Sequence, residues 1–90
     1  MSIILKIHPD ANHFIKGPPK AEVHGATVGQ CLNDLIRRFP DIAPRLFDAK
    51  GSLLSYIDVY VNRASSYPLE LATPVNDGDE LSIIVMVCGG

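Results

Sequence analysis

Ninety residues suffice for one compact domain and little else. Apolar types make up 47% of them, so a single core can form without disulfides or metals, although a chain this short buries only about 60–65% of the surface it exposes when unfolded. Eight basic side chains against ten acidic ones give a net charge of −2, which argues against the basic face of a nucleic-acid protein and suits a protein partner.

The opening segment, Met1 to Lys6, is apolar for only a few residues and lacks the charged leader and long apolar stretch of a signal peptide. No apolar run approaches the length that crosses a membrane, and a cytoplasmic location is the expectation. Cys31 and Cys88 do not make a disulfide framework.

Ile3, Leu5 and Ile7 alternate with Ile4, Lys6 and His8, which predicts a first strand ended by Pro9 and Asp10. Asp10 to Lys20 contains Gly17-Pro18-Pro19 and reads as a hairpin loop. Ala21 to Val23 reads as a short second strand, closed by Gly25. Thr27 then starts a helix. Thr-x-x-Gln is a capping box, in which the Thr27 hydroxyl takes the Gln30 N–H and the Gln30 side chain returns to the Thr27 N–H. Val28, Cys31, Leu32, Leu35, Ile36 and Phe39 follow at helical spacing on one face, with Asn33, Asp34, Arg37 and Arg38 opposite. Pro40 stops the helix, because its ring disfavours helical geometry in the preceding residue.

Ile42 to Phe47 adds a short helical turn, and Asp48 to Gly51 a reverse turn. Tyr56 to Val61 is β-prone, with Ile57, Val59 and Val61 on one face. Leu69 to Leu71 is taken as a short strand. Asn76-Asp77-Gly78-Asp79 is a strong turn signal. Leu81 to Val87 is a last strand with Leu81, Ile83, Val85 and Val87 on one face and Ser82, Ile84 and Met86 on the other. This order predicts an α+β chain, a β-grasp of residues 1–90 in which one main helix covers a mixed sheet and a right-handed crossover brings later strands beside the first.

The sequence ends Cys88-Gly89-Gly90 directly after that strand. Glycine adds no side chain and adopts conformations closed to other residues, and three extended residues reach roughly 10 Å. Such a tail (residues 88–90) can thread a narrow channel and place the Gly90 carboxylate in another protein's active site. A carboxylate lacks a good leaving group. Joining it to AMP supplies one, and a sulfur nucleophile then yields a thiocarboxylate. The chain would contribute a reactive end and a recognition surface rather than a catalytic side chain.

Gly25-Ala26-Thr27-Val28-Gly29, Arg45-Leu46-Phe47-Asp48, Val59-Tyr60-Val61-Asn62, Asp77-Gly78-Asp79-Glu80-Leu81-Ser82-Ile83 and the ending Val87-Cys88-Gly89-Gly90 stand in an order and spacing that resembles the MoaD/ThiS family of ubiquitin-like sulfur carriers, especially its MoaD-like branch. The resemblance implies a cycle. A ubiquitin-activating-type adenylyltransferase uses ATP and magnesium to adenylate Gly90, a sulfur donor converts it to the thiocarboxylate, and a sulfur-accepting enzyme consumes the sulfur. That acceptor would be the large subunit of molybdopterin synthase or an enzyme of thiamin-thiazole or cysteine synthesis. The length of Pro40 to Tyr56 favours the molybdopterin or cysteine type over the shortest thiamin-type carriers. Three positions depart from the family's habit: Val85 stands where Pro is frequent, Cys88 where Ala or Thr precedes Gly-Gly, and Arg63 where Gly or an acidic residue follows Asn62.

The resemblance implies that Ile84 and Met86 form a docking patch with the tail and its neighbour Cys88. Cys88 lies within reach of the activated end, but a small side chain tolerated there is the simpler account. Cys31 belongs to the helix's apolar stripe. His8, His13 and His24 lack a zinc spacing, and Asp77, Asp79 and Glu80 fall in a segment too short for a calcium loop. Gly17-Pro18-Pro19-Lys20 is no phosphate loop, since prolines remove backbone donors. No cofactor is expected on this chain, and ATP and magnesium belong to the activating partner. Two other functions share parts of this pattern. One is a protein modifier joined through Gly90 to a lysine; the other is a non-covalent adaptor whose tail is incidental.

Overall fold

The computed structural model describes residues 2–67 and 69–86. Alternation in the chain becomes a five-stranded mixed sheet of order β2-β1-β5-β3-β4. Its strands are β1 (Ser2–Ile7), β2 (Lys20–His24), β3 (Ile57–Val61), β4 (Ala64–Ser65) and β5 (Glu80–Val85). The helices are α1 (Pro9–Ile15), α2 (Val28–Arg38) and α3 (Ala43–Leu46), with 3-10 turns at Pro40–Ile42 and Glu70–Ala72. The chain is a β-grasp: β1 and β5 run parallel, with Leu5 opposite Leu81 and Ile7 opposite Ile83. Parallel neighbours require a long crossover, and the chain between β2 and β5, α2 included, provides it.

Ile3, Leu5, Ile7, Ile57, Val59, Leu81 and Ile83 point from the sheet into one core, where Val28, Cys31, Leu32 and Leu35 of α2 meet them. Each such aliphatic side chain contributes about 1.5–3 kcal/mol on full burial. Burial pushes the Cys31 thiol up, and the Asp34 carboxylate adds to the effect. Cys31 is therefore a packed, protonated core residue.

The start of α2 follows the predicted cap with one change. The Thr27 hydroxyl accepts the Gln30 N–H at 3.2 Å, but the Gln30 side chain accepts the Ala26 N–H at 2.8 Å instead of returning to Thr27. The segment after the second 3-10 turn lies alongside. It pairs with the helix entry, with Val28 N–H donating to the Thr73 carbonyl and Val75 N–H to Ala26. Gly25 is needed here for space, because a Cβ would meet Gln30 Cβ at 2.7 Å and the Cys31 nitrogen at 2.8 Å. At the other end of α2, Arg38 donates to the Glu22 carbonyl and Asp34 accepts the His24 N–H at 2.9 Å. The helix thus occupies backbone groups along the outer edge of β2, which blunts an edge otherwise open to pairing.

Two expectations are corrected. The stretch read as a loop from Asp10 to Lys20 holds α1, because Ala11 and Ile15 lie one helical turn apart and both are buried. His8 accepts the N–H groups of Ala11 and Asn12, and Lys16, in left-handed geometry at φ 57°, closes the turn. Leu69 to Leu71 is not a strand. Ala72 and Thr73 N–H groups bond back to Leu69 and Glu70 in a 3-10 turn. The short edge strand lies earlier, at Ala64–Ser65, paired with Tyr60 and Val61 of β3.

β5 starts in a polar turn. Asp79 accepts the Asn76 N–H at 2.8 Å and the Asn62 side-chain amide at 2.9 Å, while Asn62 accepts the Glu80 N–H at 2.9 Å. These bonds hold the Asp79 carboxyl below the usual range. Gly78 supplies the turn's positive φ of 88°, and Asp77 accepts the Ser2 N–H at 2.7 Å.

Candidate functional site

The described chain nearest the predicted functional end is β5 and Met86. β5 is paired on both sides, with β1 through Glu80 to Ile83 and with β3 through Leu81 to Val85. Near its end only β3 remains as a partner, with Ile57 opposite Val85. One further bond extends this pairing: Met86 N–H donates to the Tyr56 carbonyl at 2.6 Å. The Tyr56 ring packs edge-on against Phe14 (5.4 Å between centroids, 77° between planes), and Arg45 lies 5.4 Å over the Phe14 ring. The exit is braced by α1, an element the sequence pattern concealed.

Predicted residues divide here. Leu81 and Ile83 face the core, and Val85 packs at its margin. Ser82 and Ile84 are half-buried on the opposite face. Met86 follows the last residue of β5 and is 43% exposed. Ile84 stands opposite Asp58, and Ser82 opposite Tyr60 on one side and Lys6 on the other. The outer face beside Ile84 is therefore a mixture of aromatic, charged and aliphatic groups. Val87, Cys88, Gly89 and Gly90 lie outside the described residues.

Asp58 is a residue that sequence reading missed. It is only 6% exposed, and its Oδ2 accepts the Ser65 hydroxyl at 2.7 Å. The signal was available: an acidic residue inside the β-prone run Ile57-Asp58-Val59. Ser65 reaches it because β4 returns antiparallel to β3.

The arginines are largely occupied by structure. Arg37 and Arg38 approach Asp34 at 3.9 and 3.4 Å, Arg45 covers Phe14, and Arg63 sits in the β3–β4 turn at φ 74°.

The last described residue, Met86, is exposed beside the mixed face that carries Ile84. The model of the ThiS family matches residues 16–90. The chain belongs to the ThiS family. Over its full length, and that of the relative, it is 32% identical to the sulfur carrier protein CysO of Mycobacterium tuberculosis. The crystal structure of SAMP1 from Haloferax volcanii superposes with a TM-score of 0.82 at 28% identity, covering both chains completely. A structure of the Amycolatopsis orientalis BexX/CysO complex matches with a TM-score of 0.80 at 31% identity, over 98% of this chain and 99% of that one. The chain is of the ThiS/CysO sulfur-carrier type, a group of small carriers that are not themselves enzymes. No helix among the described residues is long and apolar enough to cross a membrane.

Proposed function

We propose that this protein carries sulfur as a thiocarboxylate on Gly90. The observation that carries the reading is the ThiS-family match running through the Gly-Gly ending, attached to a strand paired on both sides. In the proposed cycle the Gly90 carboxylate attacks the α-phosphate of ATP, forming an acyl adenylate and releasing pyrophosphate. A sulfide equivalent from the sulfur donor then displaces AMP. The thiocarboxylate so formed gives its sulfur to an acceptor enzyme, and hydrolysis or transfer restores the carboxylate.

The ATP and magnesium sites belong to the adenylyltransferase partner. Gly89 supplies clearance for the narrow channel, and Ile84, Met86 and Cys88 form the surface next to the threaded tail. End-to-end identity with CysO favours a cysteine-forming acceptor over the molybdopterin type.

Intact-mass analysis of the chain from its native cells, under conditions that preserve thiocarboxylates, tests this. The expected species is heavier by the replacement of oxygen with sulfur, localised to Gly90. A terminus that stays unmodified after incubation with native extract, ATP and a sulfur donor would sink the reading. The likeness to SAMP1, the small archaeal modifier protein 1 of Haloferax volcanii, supports a second reading, conjugation through Gly90 to lysine. A Gly90-lysine branched peptide after proteolysis is its signature.

A further inference from the structure

Next to the strand exit lies a groove of about 410 Å³ whose walls include Leu53, Ile57, Asp58, Tyr67, Glu70 and Met86. Leu53 and Ile57 offer apolar surface continuous with the core, and Met86 closes one side. Tyr67, at 74% exposed, stands at the rim. Two carboxylates line this apolar space, and among the described residues neither takes part in an ion pair.

Asp58 gives the groove its chemical direction. Its Oδ2 accepts from Ser65, while no described residue donates to Oδ1. Among the described residues Oδ1 is not one of the buried polar atoms left without a partner, so it keeps solvent access through the groove, where a cation can reach it. Strand pairing along this edge of β3 reaches only Tyr60 and Val61, with Ser66 N–H adding a bond to the Val59 carbonyl. The carboxylate of Asp58 therefore borders a groove that no neighbouring strand closes.

We propose that this groove receives one basic side chain, an arginine, from the enzyme that accepts the tail. Who that enzyme is rests on the carrier reading; the match between groove and arginine does not. An arginine stem suits apolar walls while its charged head reaches a polar group. The planar guanidinium can bond a carboxylate through two N–H groups and lie on an aromatic ring such as Tyr67. Charge complementarity selects a cation, and the mixture of walls selects a long, partly apolar one. Continuity supplies the rest of the argument. Met86 is at once a groove wall and the residue that precedes the tail in the chain, so a protein that grips the tail at its base meets the groove's Met86 wall.

The test uses the full-length chain labelled with nitrogen-15 and three small probes: N-acetyl-arginine methylamide, the isosteric but uncharged N-acetyl-citrulline methylamide, and apolar N-acetyl-norleucine methylamide. The arginine probe is expected to give saturable amide shifts at Asp58, Ser65, Tyr67 and Met86. It should bind about tenfold more tightly than citrulline, as a charge-assisted bond implies. Asp58→Asn should reduce it to the citrulline level, and Glu70→Gln should weaken it part-way, a milder change that keeps the test valid if the first variant loses its dispersed spectrum. Equal shifts from norleucine would give the groove to an apolar side chain and overturn the proposal. So would arginine shifts that survive both variants, the absence of saturable shifts, or concentration-dependent shifts without probe, which would assign the groove to a second copy. Thiocarboxylate formation measured on the same samples separates the two readings. Sulfur loading without arginine binding defeats the groove alone, and arginine binding without sulfur loading defeats the carrier reading alone.

Discussion

At its first residue β5 emerges from a turn in which Asp77 and Asp79 accept bonds from Ser2 and Asn62, distant in the chain, while Asn62 accepts the Glu80 N–H. At its other end the strand is held by a backbone bond from Met86 to Tyr56 and by the rings of Tyr56 and Phe14. The first end is polar, solvent-facing and over-determined. The second is apolar and aromatic, with Met86 and Tyr67 substantially exposed. On the proposed function, one strand thus joins an anchoring end, where bonds fix register, to a presenting end, where exposed surface is left for the partner. Register matters because a slip of one residue would send Ile84 inward and Ile83 outward.

The sharpest way to test this division is to remove the tail. Deleting Gly89 and Gly90 is expected to abolish sulfur loading, read by intact mass, while leaving the thermal unfolding midpoint unchanged. A large fall in that midpoint would show that the presenting end also holds the fold together. Smaller in effect are Ile84→Ala and Met86→Ala. Each is expected to slow thiocarboxylate formation about tenfold, the scale of truncating a central interface residue, with a dispersed spectrum retained. Rates equal to the unaltered protein for both would remove the proposed docking role of this face.

Substitutions at the anchoring end should do the reverse and change stability without changing loading. Asn62→Ala removes a bond to Asp79 and one from Glu80 and is expected to cost about 1–2 kcal/mol in denaturant unfolding. Asp79 gives a pH signature. Its carboxyl titrates below its ordinary value when folded, chiefly because it accepts the Asn76 N–H and then the Asn62 amide. Its contribution is therefore complete above the ordinary aspartate range, about pH 4. It is lost as pH falls through the lower folded value. Asp79→Asn should lower the unfolding midpoint near neutral pH and remove part of the acid dependence, so that variant and parent converge in acid. Parallel curves across that range would deny Asp79 this role.

The legibility of the two ends differs for physical reasons. β1, α2 and β5 could be read because Ile3, Leu5 and Ile7, the Val28 to Leu35 stripe, and Leu81 and Ile83 repeat with the period of the element they build. The turn before β5 declared itself through Asn76-Asp77-Gly78-Asp79. α1 was hidden because Ala11 and Ile15 supply a single repeat beside the disruptive Gly17-Pro18-Pro19. β4 has two residues, too few for any period, and is placed by its partner Tyr60–Val61. The same long-range pairing brings Ser65 to Asp58, so the acidic groove could not be assembled from local spacing. Ile84 and Met86 were placed on the outer side of the strand by alternation alone, but what surrounds them depends on β3 and on residues near position 67.

The smallest predicted effect concerns the turn that links β3 to β4. Asn62 and Arg63 both have positive φ, at 50° and 74°, the geometry of a tight hairpin whose twist suits the flanking strands. Asparagine tolerates that region, whereas an arginine Cβ crowds the neighbouring carbonyl. Arg63→Gly removes this crowding but enlarges the freedom of the unfolded chain, so the two effects partly offset. The expected balance is a gain of about 0.5 kcal/mol in denaturant unfolding. Sulfur loading should not change, because Arg63 lies at the end of β3 remote from Ile57, whose register partner is Val85 at the strand exit. Slower loading in a stabilised Arg63→Gly protein would show that the anchoring end also meets the partner, and the separation of roles along β5 would fail at that residue.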